Sequence, residues 1–351
     1  MPILKKIKVI LFLAALLAAR PALASNAEVF SQVYHEIYNN YIEKVDIDKL
    51  AIQTLKDLST IDRKVRIADD KERLSLYYDA AVIKSYKKPT KENDIKAWGI
   101  LSAQILKDAA RKSEIMRDRD FRLVDDLLKK TVVGLGNDSK YYSALDVSDE
   151  HDNSIRYFGS RRMDSFLYLK IGDFNFSTHH KVREAINENP DIEGIILDLR
   201  GNKGGNLSEA IKVIDLFLDE GVLIATQDRN KQITYYNASS GDIINGKPIV
   251  ILVDGDTASS AEAVTISLKG QGRTKVIGTS TFGKGTVQSL VNLANDSVLS
   301  LTTAEFISPE DIRINGVGIS PDICVTKNCL PESRVGEEAD VYTALKTLES
   351  Q

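Results

Sequence analysis

The spacing of apolar residues changes character near residue 146. From Glu28 to about Asp146, apolar positions recur with the period of an α-helix. The run "EVFSQVYHEIYNNYIEKV" places one such set on a single face: Val29, Phe30, Val33, Ile37 and Tyr41. Residues 61–125 are rich in charge and hold three more amphipathic runs, "RLSLYYDAAVIKSY", "IKAWGILSAQILKDAARK" and "FRLVDDLLKKTV". The pattern predicts an all-helical N-terminal domain over residues 25–146, with a charged helical insertion at about 61–125.

Residues 147–328 instead show short apolar runs typical of strands, separated by helical patterns. Strands are predicted at 166–174, 193–200, 221–226, 248–255, 274–279 and 297–307, with helices in "HKVREAINEN", "LSEAIKVIDLFLDE" and "SSAEAVTISLKGQ". This alternation predicts an α/β core with a largely parallel sheet. The runs "IILDL" and "IVILV" are apolar on both faces, as strands covered on both sides are. Residues 329–351 form a predicted tail with a helix pattern, "EEADVYTALKTLES".

The N-terminus has the pattern of a secretory signal peptide over residues 1–24. Lys5, Lys6 and Lys8 precede the apolar run "VILFLAALLAA", which ends near the small-residue site "ALA" before Ser25. The run is shorter than the roughly 20 residues that a membrane-spanning helix needs. We therefore expect a periplasmic or otherwise exported protein with no integral membrane span in the mature chain.

Charge and cysteine content narrow the class further. Cleavage would remove four positive charges and take the formal net charge from −4 to −8, which argues against nucleic acid or an anionic membrane as partner. The two cysteines, Cys324 and Cys329, are too few for a zinc site. In an exported protein a short-loop disulfide between them is favoured, with two free thiols as the alternative.

The loop "GTSTFGKGTVQ", residues 278–288, nearly matches a phosphate-binding loop. Gly278, Gly283 and Lys284 are in place, but Gly285 stands where a serine or threonine must reach a metal ion. A phosphate loop leads into a helix, whereas "TVQSLVNL" alternates like another strand. A nucleotide-dependent enzyme is therefore the weaker interpretation of this loop.

Two further loops after predicted strands carry candidate chemistry. Gly204 and Gly205 lie between a strand and a helix, where backbone N–H groups could bind a small anion or simply form a tight turn. Ser259 and Ser260 begin the next helix. Ser259 with Glu262 matches a helix capping box, and a serine at such a turn can equally act as a nucleophile. Both interpretations stay open from the residues alone.

A serine nucleophile needs a general base. None of the four histidines follows a predicted strand beside a plausible carboxylate partner: His35, His151, His179 and His180. A lysine can serve instead when desolvation keeps its amine neutral near pH 7, and Ser–Lys pairs are a recognised variant of the catalytic triad. Lys284 lies between glycines that permit tight backbone packing, which makes it the candidate base.

Four linked motifs resemble the C-terminal processing (tail-specific) serine proteases: "LDLRGNKGG", "VDGDTASSAEA", "IGTSTFGKGTVQ" and "LTTAEFISPEDIRINGVGISPDICV". The resemblance covers about residues 148–325, with a weaker echo at 29–60 and 124–146. It implies an α/β (α+β) protease core with a crotonase-like mixed sheet and flanking helices. It also implies a set of site residues: Ser259 as nucleophile, Lys284 as general base, Gln288 to orient the lysine amine, and oxyanion donors at the backbone of Gly204 or Gly205 and of Ser260.

Two departures from the family pattern are visible. Most members carry a PDZ domain that captures substrate C-termini, but residues 147–165 are too short a connection to hold one. "RGNKGG" also replaces the commoner "RNNPGG", although Asn202 and both glycines are kept. The site is therefore expected to be complete, while tail recognition by a PDZ domain is not expected.

The sequence thus predicts an exported serine endopeptidase that cleaves proteins near their C-termini and processes or degrades cell-envelope proteins. The alternative is a catalytically silent ligand-binding or scaffold protein on the same fold. No metal or cofactor is implied. The expected partner is a protein or peptide substrate, with an adaptor or self-association through the N-terminal helices as a further possibility.

Overall fold

The computed structural model describes residues 25–119, 122–149, 158–239, 241–308, 313–325 and 337–350. The predicted signal peptide and Cys329 lie outside these residues. Within them, no helix combines the length and apolar character needed to cross a membrane.

The chain folds into two compact units. Of the described residues, the first unit comprises 25–148 together with Leu290–Leu301, and the second comprises those of Asp149–Ser289 and those from Thr302 onward. The sequence predicts the protease core as one continuous segment, residues 147–328. Leu290–Leu301 instead packs with the first unit, since Leu293 and Leu299 belong to its hydrophobic core.

The first unit is built mainly of helices that bury their apolar faces in one core. The predicted face of the first helix is confirmed, because all five of its apolar residues are buried. The helices are α1 Asn26–Asn40, α2 Ile47–Lys56, α3 Leu58–Ile61, α4 Ile95–Lys112, α5 Glu114–Arg117, α6 Leu123–Val133 and α7 Ala144–Asp149. The strands are β1 Val65–Asp69, β2 Arg73–Tyr78, β3 Ala81–Lys87 and β4 Lys140–Tyr142.

The prediction of an all-helical N-terminal domain is wrong for residues 65–87. These residues form an antiparallel sheet in the order β1-β2-β3. In "RLSLYY" Leu74 and Leu76 are buried while Arg73 is exposed, which is the two-residue period of a strand. The hairpin turn follows at Asp79, whose φ of 52° is reached without a glycine. That turn carried none of the usual glycine signals, so two short strands resembled one amphipathic helix.

The second unit contains the predicted alternation of strands and helices. Its strands are β5 Phe158–Met163, β6 Phe166–Ile171, β7 Gly194–Asp198, β8 Val222–Asp228, β9 Ile233–Asn237, β10 Ile249–Val253, β11 Thr274–Gly278 and β14 Ile323–Cys324. Two more strands, β12 Thr286–Asn292 and β13 Val298–Ile307, belong to this unit only outside Leu290–Leu301. Its helices are α8 Thr178–Asn187, α9 Leu207–Asp215, α10 Ser260–Gly270 and α11 Glu337–Glu349. Every predicted strand and helix is present, while the short strands β5, β9 and β14 were not predicted.

A six-stranded sheet in the order β14-β11-β10-β7-β6-β5 forms the centre of this unit. Its neighbours pair in parallel except β5, which pairs antiparallel with β6. Alternate residues of the central strands enter different cores: Ile195 packs on one face with α8, α9 and α10, and Ile196 on the other with α11. The prediction that these strands are covered on both sides is confirmed. A second sheet has the order β12-β13-β8-β9, and the first residues of β13 pair with β4.

The carboxyl end of β7 is held by a buried ionic cluster around Asp198. This carboxylate, 1% exposed, accepts hydrogen bonds from the Tyr168 hydroxyl at 2.6 Å, the Lys170 amine at 3.0 Å and the Arg200 guanidinium. Arg200 also reaches Asp340 on α11 at 2.9 Å. Burial alone would raise the pKa of Asp198, but the hydrogen bonds from Arg200 and Tyr168 and the charge of Lys170 lower it below its ordinary value.

We expect Asp198→Asn to lower the free energy of unfolding by about 3 kcal/mol at neutral pH, because it removes the buried charge that pairs with two partly buried cations, Lys170 and Arg200. In the wild-type protein this contribution is present above about pH 4 and is lost as the pH falls through the lowered folded-state pKa. Urea denaturation at pH 7 and pH 3 measures both effects.

Asp191→Asn is the matched control, because Asp191 also forms a two-point pair with an arginine, Arg162, but its side chain is 72% exposed. Water screens such a pair, so this variant should unfold nearly like the wild type. Equal losses from the two variants would contradict the assigned role of Asp198.

Candidate functional site

The three loops that carry the candidate residues leave neighbouring parallel strands at the same edge of the sheet. The glycine loop, residues 199–206, holds Gly204 and Gly205 and follows β7. The serine turn, residues 254–259, ends at Ser259 and follows β10, and the lysine loop, residues 279–285, holds Lys284 and follows β11. These strands are adjacent in the order β11-β10-β7. Because parallel strands end at the same sheet edge, segments far apart in sequence come together there.

Asn202 ties the glycine loop to its surroundings. The side chain is fully buried, and its Nδ2 donates to the carbonyl of Ile171 at 3.0 Å while its Oδ1 accepts from the Gly204 N–H at 2.8 Å. Its backbone carbonyl accepts from the N–H of Ala258 at 2.9 Å, one residue before Ser259. One buried amide residue thus connects the end of β6, the glycine loop and the serine turn.

Ser259 occupies a strained backbone position at the start of α10. Its φ of 54° and ψ of −121° lie in a region of backbone conformation that is sterically unfavourable for residues other than glycine. Such outliers persist where the surrounding structure fixes them, and they cluster at functional sites. Gly204 is closely apposed, because a Cβ at that residue would lie 2.8 Å from the Cβ of Ser259.

Glu262 joins the serine turn to the lysine loop. Its side chain is fully buried. Oε2 accepts from the backbone N–H groups of Ser259 at 2.9 Å and Lys284 at 2.7 Å. Oε1 accepts from the Gly283 N–H at 2.8 Å and the Thr281 hydroxyl at 2.5 Å. The glutamate arm of the predicted capping box is therefore present, and it reaches a second loop that sequence spacing did not reveal.

The lysine loop does not have the structure of a phosphate-binding loop. Lys284 is half-buried, and the chain continues into the strand β12 rather than into a helix. Packing explains why residue 285 is a glycine, because a Cβ there would lie 2.6 Å from the backbone nitrogen of Asn315. The expectation against a nucleotide site is supported by both features.

The other predicted residues fall into different surroundings. The Nε2 of Gln288 donates to the hydroxyls of Thr286 at 2.9 Å and Thr302 at 3.1 Å, so its amide oxygen is the atom that could accept from an amine. Ser260 is buried, and its hydroxyl donates to the Gly205 carbonyl at 2.9 Å, which fits a supporting neighbour and not a nucleophile. The role of Gln288 toward Lys284 stays a prediction.

The three expected oxyanion donors differ in whether the backbone N–H already donates a hydrogen bond. The Gly204 N–H is already engaged by Asn202, so it is not free to bind a second acceptor in this conformation. Within the described part of the chain, no acceptor is paired with the N–H of Gly205 or of Ser260. Gly205 and Ser260 are therefore the better candidates of the three.

One histidine has a buried carboxylate partner that sequence reasoning missed. His179 Nδ1 lies 2.8 Å from Oε2 of Glu209, a buried residue in the first turn of α9 that also pairs with Lys212 at 2.9 Å. Burial would raise the pKa of Glu209, but the hydrogen bonds from Lys212 and His179 lower it. The two residues lie thirty positions apart in the sequence, on α8 and α9, so no local motif indicated that they pair.

Two further predictions concern metals and cysteines. The described residues contain no cluster of His, Cys, Asp and Glu side chains suited to a metal ion. Cys324 is disulfide-bonded. Cys329 lies outside the described residues, so its pairing with Cys324 stays a prediction.

Part of the chain is similar to known proteases. Residues 165–325 match the model of peptidase family S41. The chain is 38% identical over 176 residues to a carboxy-terminal-processing protease of Bartonella bacilliformis. The aligned region covers 48% of this chain and 40% of that protein. The chain is 32% identical over 184 residues to a carboxyl-terminal-processing protease of Synechocystis, covering 52% of this chain and 43% of that protein. The matches thus span less than half the length of these relatives.

Two solved structures share the fold over most of the chain. A lipoprotein from Streptococcus agalactiae matches with a TM-score of 0.56 and 20% identity, over 89% of this chain and 99% of that one. The photosystem II D1 C-terminal processing protease matches with a TM-score of 0.53 and 16% identity, over 92% and 98%. At these identities the likeness concerns the fold alone, and it confirms the predicted mixed α/β class.

We expect Glu262→Gln to lower the kcat of the peptide cleavage proposed below about 10²-fold, because an amide cannot accept all four hydrogen bonds and both loops would shift. Steady-state kinetics and urea denaturation measure the effect. Glu209→Gln is the matched control, since Glu209 is also a buried glutamate at the third position of a helix. It should lose stability without a comparable loss of kcat, and wild-type kcat in Glu262→Gln would refute the assigned role.

We expect Gly204→Ala to abolish most activity, because the added methyl group would overlap the Ser259 side chain. Gly201→Ala isolates this effect: Gly201 also has a positive φ, of 71°, but a Cβ there meets nothing within 4 Å. Both variants carry the backbone strain, and Gly204→Ala alone carries the overlap. Equal activity of the two variants would show that the close approach of Gly204 and Ser259 is unimportant.

Proposed function

We propose that the chain is an exported serine endopeptidase that cleaves protein substrates near their C-termini, as the match of residues 165–325 to the model of peptidase family S41 supports. Its role would be the processing or degradation of cell-envelope proteins. The observation that carries the proposal is the contact of the buried Glu262 carboxylate with the backbone of both Ser259 and Lys284. Two residues in separate loops are thereby held to one carboxylate, as a nucleophile and its base require.

In the proposed mechanism, Ser259 Oγ attacks the carbonyl carbon of the scissile peptide bond and Lys284 Nζ accepts the hydroxyl proton. The backbone N–H groups of Gly205 and Ser260 donate to the oxyanion. The tetrahedral intermediate then expels the amine, which takes a proton from Lys284, and an acyl-enzyme ester remains on Ser259. Water, deprotonated by the same lysine, hydrolyses the ester and restores the serine.

The position of Ser259 supports this assignment electrostatically. It immediately precedes α10, whose eleven residues direct their N-terminal peptide dipoles toward the serine. The positive end of a helix stabilises negative charge that develops near it. Gln288 would orient the Lys284 amine through the amide oxygen that its threonine contacts leave available.

The N-terminal part of the chain would serve export and partner binding and would take no part in catalysis. Residues 1–24 would direct export and be removed before Ser25. The helices of this unit would bind an adaptor or a second copy of the chain, and their exposed apolar side chains, such as Ile100 on α4 at 51%, would contribute to that contact. Substrate tails would be recognised without a PDZ domain.

We expect Ser259→Ala and Lys284→Ala each to lower kcat by at least about 10³-fold while leaving the urea midpoint close to that of the wild type. Cleavage of an unfolded protein such as casein, followed by mass spectrometry, measures the activity. Covalent labelling by a serine-directed fluorophosphonate should be lost in Ser259→Ala.

His179→Gln is the control for the identity of the base. It removes the ring that pairs with the buried carboxylate of Glu209, and it should retain cleavage within a few fold. A silent scaffold would show no labelling at Ser259. Near-full activity in Lys284→Ala, or loss of activity in His179→Gln, would overturn the assignment of the lysine.

A further inference from the structure

Two apolar side chains stand exposed beside the lysine loop. Phe282, two residues before Lys284, is 66% exposed, and Val317 is 76% exposed. Thr281 and Gly283, which flank the phenylalanine, are buried, and the turn that carries the valine begins at the buried Ile314. In the lysine loop the exposed Phe282 thus lies between two buried residues, whereas Asn315 and Gly316, directly before Val317, are exposed as well.

The backbone that presents these side chains is held at many points. The Phe282 N–H donates to the Thr257 carbonyl at 3.0 Å, within the serine turn. The lysine loop is also bonded to the turn around Val317: the Gly316 N–H donates to the Gly283 carbonyl at 2.8 Å. Because the backbone is fixed before any ligand arrives, little entropy is lost when the exposed side chains become buried.

Two additional contacts join the same pair of segments. The Thr281 N–H donates to the Ile319 carbonyl at 3.1 Å, and the Ile319 N–H donates to the Thr281 hydroxyl at 2.8 Å. The backbones also approach closely, since a Cβ on Gly283 would lie 3.0 Å from the Val317 nitrogen. Phe282 and Val317 thus project from two segments that are bonded to each other next to the proposed base.

The surrounding sequence is almost free of charge. Between residues 278 and 288 the only ionisable side chain is Lys284, and residues 314–321 contain none. Apart from Lys284, whose amine the proposed mechanism uses, the two segments themselves contain no side chain that could pair with an acidic or basic group. Such a group would lose hydration on contact. An apolar side chain loses nothing there and gains from burial against an aromatic ring.

We propose that Phe282 and Val317 form a specificity-determining surface that binds an apolar side chain of an extended substrate segment next to the scissile bond. The inference rests on the proposed function, because it assigns the substrate class of the same site. The occupant is a Leu-, Ile-, Val- or Phe-like side chain of a peptide. Binding here places that peptide beside the loop that carries Lys284.

The first test compares cleavage by the wild type, Phe282→Ala and Val317→Ser on a mixture of peptides from a digested proteome. The wild type should favour apolar residues within two positions of the cut. Each variant should lower kcat/KM for such peptides about tenfold, through KM more than kcat, and Phe282→Leu should restore most of it. Val317→Ser lies outside the lysine loop, so the same change there is not caused by displacement of Lys284.

Tyr235→Ala is the matched control, since Tyr235 on β9 is a comparably exposed aromatic residue at 58%. It should cleave with the wild-type profile. A wild-type profile in both Phe282→Ala and Val317→Ser, with cleavage still dependent on Ser259, would refute the specificity surface while leaving the proposed function intact.

A binding measurement tests the surface even if the protein is not a protease. In a Ser259→Ala background, fluorescence anisotropy measures the Kd for labelled alanine-based peptides with a central Leu or a central Asp. The Leu peptide should bind at least tenfold more tightly, and Phe282→Ala should remove the difference. This binding result, together with a wild-type protein that cleaves none of the peptides, would sustain the surface and reject the protease. Equal binding of the two peptides would overturn the surface.

Discussion

The arrangement of the site depends on one buried carboxylate that accepts four hydrogen bonds. Glu262 binds the N–H of Ser259 through one oxygen that it also offers to Lys284, and its other oxygen holds Gly283 and Thr281. A buried N–H without an acceptor costs about 1–3 kcal/mol, so neither loop can move away cheaply. The strained φ of Ser259 is stable because this contact, together with the approach of Gly204, fixes the turn from both sides.

Similar contacts hold the other loops at this edge of the sheet. Asp254 accepts the N–H of Gly201 at 2.9 Å and that of Thr257 at 3.0 Å, and so links the glycine loop to the serine turn. Asp198 lies beneath the glycine loop and connects through Arg200 to α11. Acidic side chains thus serve as acceptors for loop N–H groups that have no partner in a strand or helix. The rigid backbone that results also presents Phe282 toward solvent.

Most elements of the second unit could be predicted because their signals are local. "GIILD" and "IVILV" are continuous apolar runs bounded by polar turns, and the capping pair of Ser259 and Glu262 lies within one helical turn. The hairpin at 73–87 was mistaken for a helix because its turn at Asp79 lacks glycine and each strand is too short to display its period clearly. The pairing of His179 with Glu209 was missed because the two residues meet only when α8 packs beside α9.

The sequence by itself determined which residues could act and in what order they occur: a serine before a helix, a lysine among glycines, and paired glycines after a strand. It also determined the alternation that leads to a parallel sheet. Only the tertiary structure decided which groups meet. Glu262 reaches Lys284, twenty-two positions away, and the Gly204 N–H is already engaged by Asn202. The physical reason is that these hydrogen bonds join loops from different strands, and their geometry exists only after β7, β10 and β11 have paired.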